Sequence, residues 1–510
     1  MKESYKYILT FVILACFATG LIIFNAVGTY SNDDWWAGFF WTKNIIKNIL
    51  DTDQGLLWSW HFEKFLMHVL PSVLHWHPQQ NIFVAIVKGI DFALYAFLLS
   101  LFFKPMVKKI PNPLVVLINT LLVFYIIFLV DIVIIIHINQ HLKYFLNLII
   151  GGFIWYIWIN EFLNNKFLLK ENRIRDCIFA FILAFSGHLV NIPTIVFLTG
   201  LVLYEIFKTK DYSANLKKLL PVLIPLVLIY AICLLLYLNI PGFTYQRNIR
   251  APQDPILIYS FTHFWDFTQK FFECIFSKKY IWSFLILNVI GFIGLFFNRN
   301  KIDKKYLVIT ISIFLANFVF QYSLLTCGTT FYDHKSYWFK SSELQVTFLC
   351  YLVINCNIIY GCLYRCINKT KFKIAYILSI FILINLIYPI NIAIKNIKSA
   401  YNAEIIQRIA IYKVNKLYRY YSLKQGNTIY LPAEYYNHIN NYIGPIILVN
   451  FTNNMELIYH VKNKKKVEIT DKKVINEYEL FTEEEIENID FKKLYDDNFI
   501  LRMKEPILVD

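Results

Sequence analysis

From Tyr7 to Asn391 the chain returns again and again to apolar runs about as long as a membrane is thick. A helix needs about 20 residues to cross ~30 Å of hydrocarbon. Runs of this length, repeated through most of the chain, are more than one soluble core can absorb. The composition agrees, with 57% hydrophobic and only 17% charged residues and a mean hydropathy of +0.47. The expected fold is therefore an all-α polytopic membrane protein.

The apolar runs and the basic punctuation between them predict about eleven transmembrane helices. These are 7–27, 82–103, 113–136, 144–162, 177–185, 192–207, 219–238, 280–297, 306–325, 346–364 and 374–394. The first run follows Lys2 and Lys6 and is longer than the h-region of a signal peptide, so an uncleaved span is expected. The fifth is short and meets Ser186-Gly187-His188, the mark of a tilted or broken helix pair.

A formal net charge of +15 raises the question of nucleic acid, but the cations are dispersed in short loops and no groove-reading or base-stacking module is visible. Alternate loops differ sharply. The N-terminus and segments 104–109, 166–175, 208–218, 299–305 and 365–373 together hold 21 Lys and Arg, whereas the intervening, longer loops hold 11. Short basic loops stay in the cytoplasm. This predicts a multi-pass protein of a bacterial cytoplasmic (inner) membrane, with a cytoplasmic N-terminus and its long loops outside.

Two domains are expected. Residues 1–394 form the transmembrane domain, whose first outer loop, 28–80, carries aromatic amphipathic helices (Trp35, Trp36, Trp41, Trp58, Trp60, Trp76) suited to the interface. After Ile394 the composition turns to Lys, Asn, Glu and Tyr. A helix over 399–421, strands near 427–431 and 445–451, and an acidic helix start at 482–490 suggest a small extracytoplasmic α/β domain over 395–510.

The residues able to do chemistry gather on the outer side. Asn32-Asp33-Asp34-Trp35 sets two carboxylates at the membrane surface among aromatics, where partial desolvation raises their basicity and suits a general base. Capping the helix that starts near Trp35 is the competing role, and the two residues can divide the roles between them. Lys88, Asp91, Asp131, His188 and Asn191 lie within spans or at their outer ends and are candidates to line a cavity. Lys88 and Asp91, three residues apart on one helix face, also suit an internal ion pair.

Arg247 and Arg250 follow the seventh span and can hold a lipid phosphate through their planar forks, or snorkel to headgroups. Asp333-His334-Lys335-x-Tyr337 offers a further cation before the tenth span. His61, His68 and His75 recur every seven residues, about 10 Å per step along a helix, too far apart to share one ion, so no metal site is assigned. Cys274 and Cys327 alone fall near the oxidising side, which leaves one disulfide open to the chain.

These motifs together resemble the bacterial membrane glycosyltransferases of the GT-C superfamily, among them the Gtr-type glucosyltransferases and a related bacterial membrane family of unknown function. The resemblance rests on Asn32-Asp33-Asp34 after the first span, Gly187-His188-x-x-Asn191, Pro241-Gly242 followed by Arg247, and the Asp333-His334-Lys335-x-Tyr337 loop. It covers most of the membrane region, although each motif is short. Two departures bear on substrate identity: Ile192 stands where relatives carry an acidic residue, and Lys335 where they carry arginine.

The resemblance implies transfer of a sugar from a polyprenyl-phosphate carrier to a glycan or lipid-linked acceptor outside the cytoplasm. Asp33 or Asp34 would take the acceptor proton, Arg247, Arg250 and Lys335 would hold the departing phosphate, and Asn32, Trp35, His334 and Tyr337 would line the cavity with the residues named above. A single displacement of this kind inverts the anomeric centre. No cofactor is assigned, and a divalent cation, Mg2+ or Mn2+, at Asp33 and Asp34 is compatible with this chemistry. The competing reading is a transporter or a flippase for lipid-linked saccharides, motivated by the ionisable residues within spans. A polysaccharide polymerase or ligase is a lesser alternative, disfavoured because the long outer loop comes first in the chain.

Overall fold

The computed structural model describes residues 81–103, 113–130, 146–186, 188–210, 212–239, 265, 269, 272–273, 279–327, 342–366, 427–430, 466–467 and 473–474. The spans expected at 7–27 and 374–394 lie outside these, as do the whole first outer loop and most of 395–510.

Nine α-helices occupy the described residues: α1 (Asn81–Phe103), α2 (Pro113–Val130), α3 (Asn147–Leu163), α4 (Arg173–Phe185), α5 (His188–Thr209), α6 (Tyr212–Asn239), α7 (Lys279–Phe297), α8 (Lys304–Cys327) and α9 (Ser342–Cys366). Each coincides with an expected span. Three contain stretches long and apolar enough to cross a membrane: Val190–Thr209, Tyr212–Ile229 and Gln345–Arg365. Large apolar side chains such as Ile224, Leu228, Ile290, Ile293 and Leu315 remain exposed on the helix bundle, as lipid-facing positions do.

Helix α9 is the axis of the bundle. Its membrane-length stretch is 89% buried, against 22% for that of α6, and it packs on α1, α2, α7 and α8. Asparagines hold it from several sides, because an amide in hydrocarbon must find its partners on neighbouring helices. Asn119 of α2 and Asn357 exchange hydrogen bonds of 3.0 and 2.8 Å. Asn355 donates to Asn288 of α7 (3.0 Å), and Asn317 of α8 donates to the Phe348 carbonyl (3.0 Å). Small residues let backbones approach: a Cβ on Gly361 would collide with the Phe103 carbonyl, and one on Gly200 with Ser312.

The described parts of the basic loops meet at one end of the bundle. Helix α3 stops there in a Schellman motif, with Lys166 N–H donating to Glu161 O, Asn165 N–H donating to Phe162 O, and Asn165 at φ 55°. Lys305, at the start of α8, is only 3% exposed. Its ammonium donates to Phe162 O (2.6 Å), Leu163 O (3.3 Å) and Asn165 Oδ1 (2.7 Å), so a cation closes the negative end of α3. Lys208 reaches the same Asn165 (3.5 Å), and Arg365 of α9 donates to the Tyr306 hydroxyl of α8 (3.1 Å). With Phe103 against Gly361, the termini of α1, α3, α5, α8 and α9 are gathered at this basic end.

The short fifth element is a helix that starts earlier than hydropathy suggests. Thirteen residues of α4 span ~20 Å, short of a bilayer, and only two residues separate it from α5. Prolines interrupt α5 at Pro193 and α6 at Pro221 and Pro225. Pro225 has no N–H to offer the Pro221 carbonyl, and the Cys177 thiol of α4 donates to that carbonyl instead (3.3 Å), which ties α4 to α6.

Beyond the helices, β1 (Asn427–Tyr430) forms the strand expected near residue 427. It pairs antiparallel with β2 (Lys466–Val467), Ile429 opposite Val467, and parallel with β3 (Lys473–Val474), Asn427 opposite Lys473, in the order β2-β1-β3.

Candidate functional site

Helices α1, α3, α5 and α9 all run toward the basic end, so their N-terminal halves lie together at the far end. Trp155 of α3 stands between α5 and α9. Its indole stacks on Phe197 of α5 at 4.5 Å, lies 5.3 Å from the Tyr351 ring of α9, and donates from Nε1 to Thr194 Oγ1 (2.9 Å). The Thr194 hydroxyl in turn donates a hydrogen bond to the Val190 carbonyl (2.6 Å). A Cβ on Gly151 would press on Val190 and one on Gly152 on Leu98, which sets α3 tightly against α5 and α1.

Within about two turns of this aromatic floor, ~11 Å along a helix axis, the same four helices carry buried polar residues toward the far end. They are Asp91 on α1, Asn147 on α3, Asn191 on α5, and Gln345 and Thr347 on α9. Asp91 is 8% exposed and Asn191 is fully buried. Asn191 donates weakly to the Ala184 carbonyl of α4 (3.5 Å), and its Oδ1 has no hydrogen-bond partner among the described residues. Polar side chains at this depth are costly and are kept where they meet each other, water or a ligand. The far half of the four-helix core is therefore a polar layer over an aromatic floor.

A second charged group lies at the basic end. Arg175 sits between two carboxylates, 2.6 Å from Glu161 Oε1 and 2.8 Å from Asp176 Oδ1. Trp158 Nε1 donates to the same Asp176 oxygen (3.1 Å), and Asn172 donates to Glu161 (3.2 Å). These contacts clamp the end of α3 to the start of α4 and leave Arg175 committed to its partners.

Among the residues singled out from sequence, Asp91 and Asn191 fall in the polar layer. Lys88 is one turn from Asp91 on α1, and His188 opens α5; both are placed by their backbone alone. Asn32, Asp33, Asp34, Trp35, Asp131, Arg247, Arg250, His334, Lys335 and Tyr337 lie outside the described residues, as do His61, His68 and His75. Among the described residues no three His, Cys, Asp or Glu side chains gather. Sequence reasoning missed Asn147, Gln345 and Thr347. Their signal was present, a polar residue near the outer end of an apolar run, but each is uncharged and blends into a span.

The fold and this layer define a helical membrane protein whose core is polar toward one end. No protein-family model, curated protein or solved structure matches the chain.

Proposed function

We propose that the chain is a membrane glycosyltransferase of the GT-C type, with about eleven spans and a small α/β domain at its C-terminus. It would move a sugar from a polyprenyl-phosphate carrier to a glycan or lipid-linked acceptor on the extracytoplasmic face of a bacterial inner membrane. One observation carries this reading. Segments 28–80, 240–278 and 328–341 hold Asp33 and Asp34, Arg247 and Arg250, and Lys335. They join α1, α6 with α7, and α8 with α9 at helix ends that point away from the basic end. The carboxylates and cations that this reading uses are thus joined in sequence to helix ends on one side of the bundle, that of the polar layer.

On this reading Asp33 or Asp34 accepts the proton of the attacking hydroxyl, and the anomeric carbon–oxygen bond to the carrier phosphate breaks with inversion. Arg247, Arg250 and Lys335 stabilise the phosphate that leaves. Asn32, Trp35, Lys88, Asp91, Asp131, His188, Asn191, His334 and Tyr337 line the cavity. Sugar nucleotides are confined to the cytoplasm, so a site on the far face needs a membrane-bound donor.

The test is consumption of a radiolabelled polyprenyl-phosphate sugar by the purified protein, with the Asp33→Asn/Asp34→Asn variant beside it. Consumption by the wild type and its loss in the variant are expected; equal consumption by both would refute the assignment. Buried Asp91 also favours a second reading, a transporter or lipid-linked-saccharide flippase. Movement of intact labelled donor between leaflets without consumption would replace the first reading with that one.

A further inference from the structure

We propose that the basic ends of α4 and α6 together form a binding site for a dianionic phospholipid of the leaflet they face, one with two phosphates and several acyl chains. The proposal is independent of the transferase reading. Helices α4 and α6 pack along one another in the same direction and are pinned where the Cys177 thiol meets the Pro221 carbonyl. One turn back from that contact toward the basic end, α4 carries Arg173 and α6 carries Lys217 and Lys218. All three are exposed. Lys170, in the short 3-10 turn before α4, is exposed as well.

The neighbouring Arg175 turns inward to Glu161 and Asp176, so its charge is answered from within. Arg173, Lys217 and Lys218 have no ion pair among the described residues. Three cations on two adjacent helices at the membrane edge match two phosphates better than one, because a single monoanionic headgroup would leave most of that charge unanswered.

Above these cations both helices turn apolar stripes outward. On α4 Ile174, Ile178 and Phe181 follow helical spacing, with Ile174 78% exposed. On α6 Leu216, Leu220, Ile224 and Leu228 do the same. Acyl chains laid along these stripes hang from a headgroup held by the cations, which is how a basic site between membrane helices selects lipid.

The experiment uses the full-length protein in phosphatidylcholine nanodiscs, titrated with fluorescent cardiolipin as the dianionic probe. At about fivefold per cation, Arg173→Gln/Lys217→Gln/Lys218→Gln should weaken binding on the order of a hundredfold. Lys304→Gln, which removes an exposed cation from another basic loop, should leave binding unchanged. Wild-type binding should weaken steeply with salt, and inorganic phosphate at millimolar concentration should not displace the lipid. Equal affinity in the triple variant, an equal loss in Lys304→Gln, or displacement by phosphate alone would overturn the proposal. If the triple variant does not fold, Arg173→Gln alone and the salt dependence decide by the same criteria.

Discussion

The hydrogen-bonded pair Asn119–Asn357 is the most quantitative handle on how α9 is held. Asn119 Nδ2 donates to Asn357 Oδ1 at 3.0 Å, and Asn357 Nδ2 returns a bond to Asn119 Oδ1 at 2.8 Å. Each amide has further acceptors, Asn119 donating to Ser100 Oγ of α1 (3.2 Å) and to Val115 O of its own helix (3.0 Å), and Asn357 to Val353 O (2.9 Å). Asn357→Leu therefore strands the Asn119 carbonyl oxygen in an apolar interior, while its amino group keeps two partners. The mirror argument holds for Asn119→Leu. Stranding a buried polar group costs about 1–3 kcal/mol, so each single variant should lose about that much. Removing both amides deletes the stranded group as well, and the double variant should be more stable than the two losses added together. Two interhelical bonds at about 0.6 kcal/mol each give a coupling energy of about 1.2 kcal/mol. The assay is unfolding in mixed micelles, followed by reaction of the buried Cys350 and Cys362 thiols with a fluorogenic maleimide. A coupling below about 0.3 kcal/mol, within the additivity of independent sites, would refute the reasoning.

Lys305→Met should destabilise the protein by about 2–3 kcal/mol, read as the same thiol-exposure midpoint, because three charge-assisted bonds to the end of α3 disappear together. Gly361→Leu should prevent α9 from seating against the Phe103 carbonyl and cost more than about 3 kcal/mol. Lys304→Met, a neighbour of Lys305 that remains exposed, should cost less than about 0.5 kcal/mol in that assay.

The helices were legible because hydrocarbon imposes a length and a composition that a sequence cannot disguise. Each of α1 to α9 falls on an expected run, and α1, α2 and α7 begin within one residue of expectation. Starts that hydropathy placed four or more residues late, those of α4, α5, α6 and α9, hold polar or charged residues such as Arg173, Arg175, His188, Asn191, Lys217, Lys218 and Glu343. A window average ends where charge begins, whereas the backbone ladder continues through it. The grouping of basic loops followed from the cost of moving cations across a bilayer, and the contacts of Lys208, Lys305 and Arg365 express that grouping in atoms. The polar layer was legible only in part. Asp91 announced itself by charge, but Asn147, Gln345 and Thr347 become informative only once α1, α3 and α9 are known to be neighbours. The Asn119–Asn357 pair, 238 residues apart in sequence, carries no local signal at all.

The two ends of the bundle are built on different principles, and the difference bears on where chemistry can occur. At the basic end three cations are turned to the protein itself: Lys305 on the carbonyls of α3, Arg175 on Glu161 and Asp176, Arg365 on Tyr306. A group already bonded to its neighbours has little left to offer a substrate, but it fixes the helices that carry it. At the far end the polar residues of α1, α3, α5 and α9 sit above Trp155, and the chain leaves toward the segments that hold Asp33, Arg247 and Lys335. Residues separated by some 300 positions can act on one substrate only if the helices beneath them keep their spacing. The clamps at one end thus supply the rigidity that a shared site at the other would need. Loosening Arg175 or Lys305 should then depress far-end activity without either residue touching substrate.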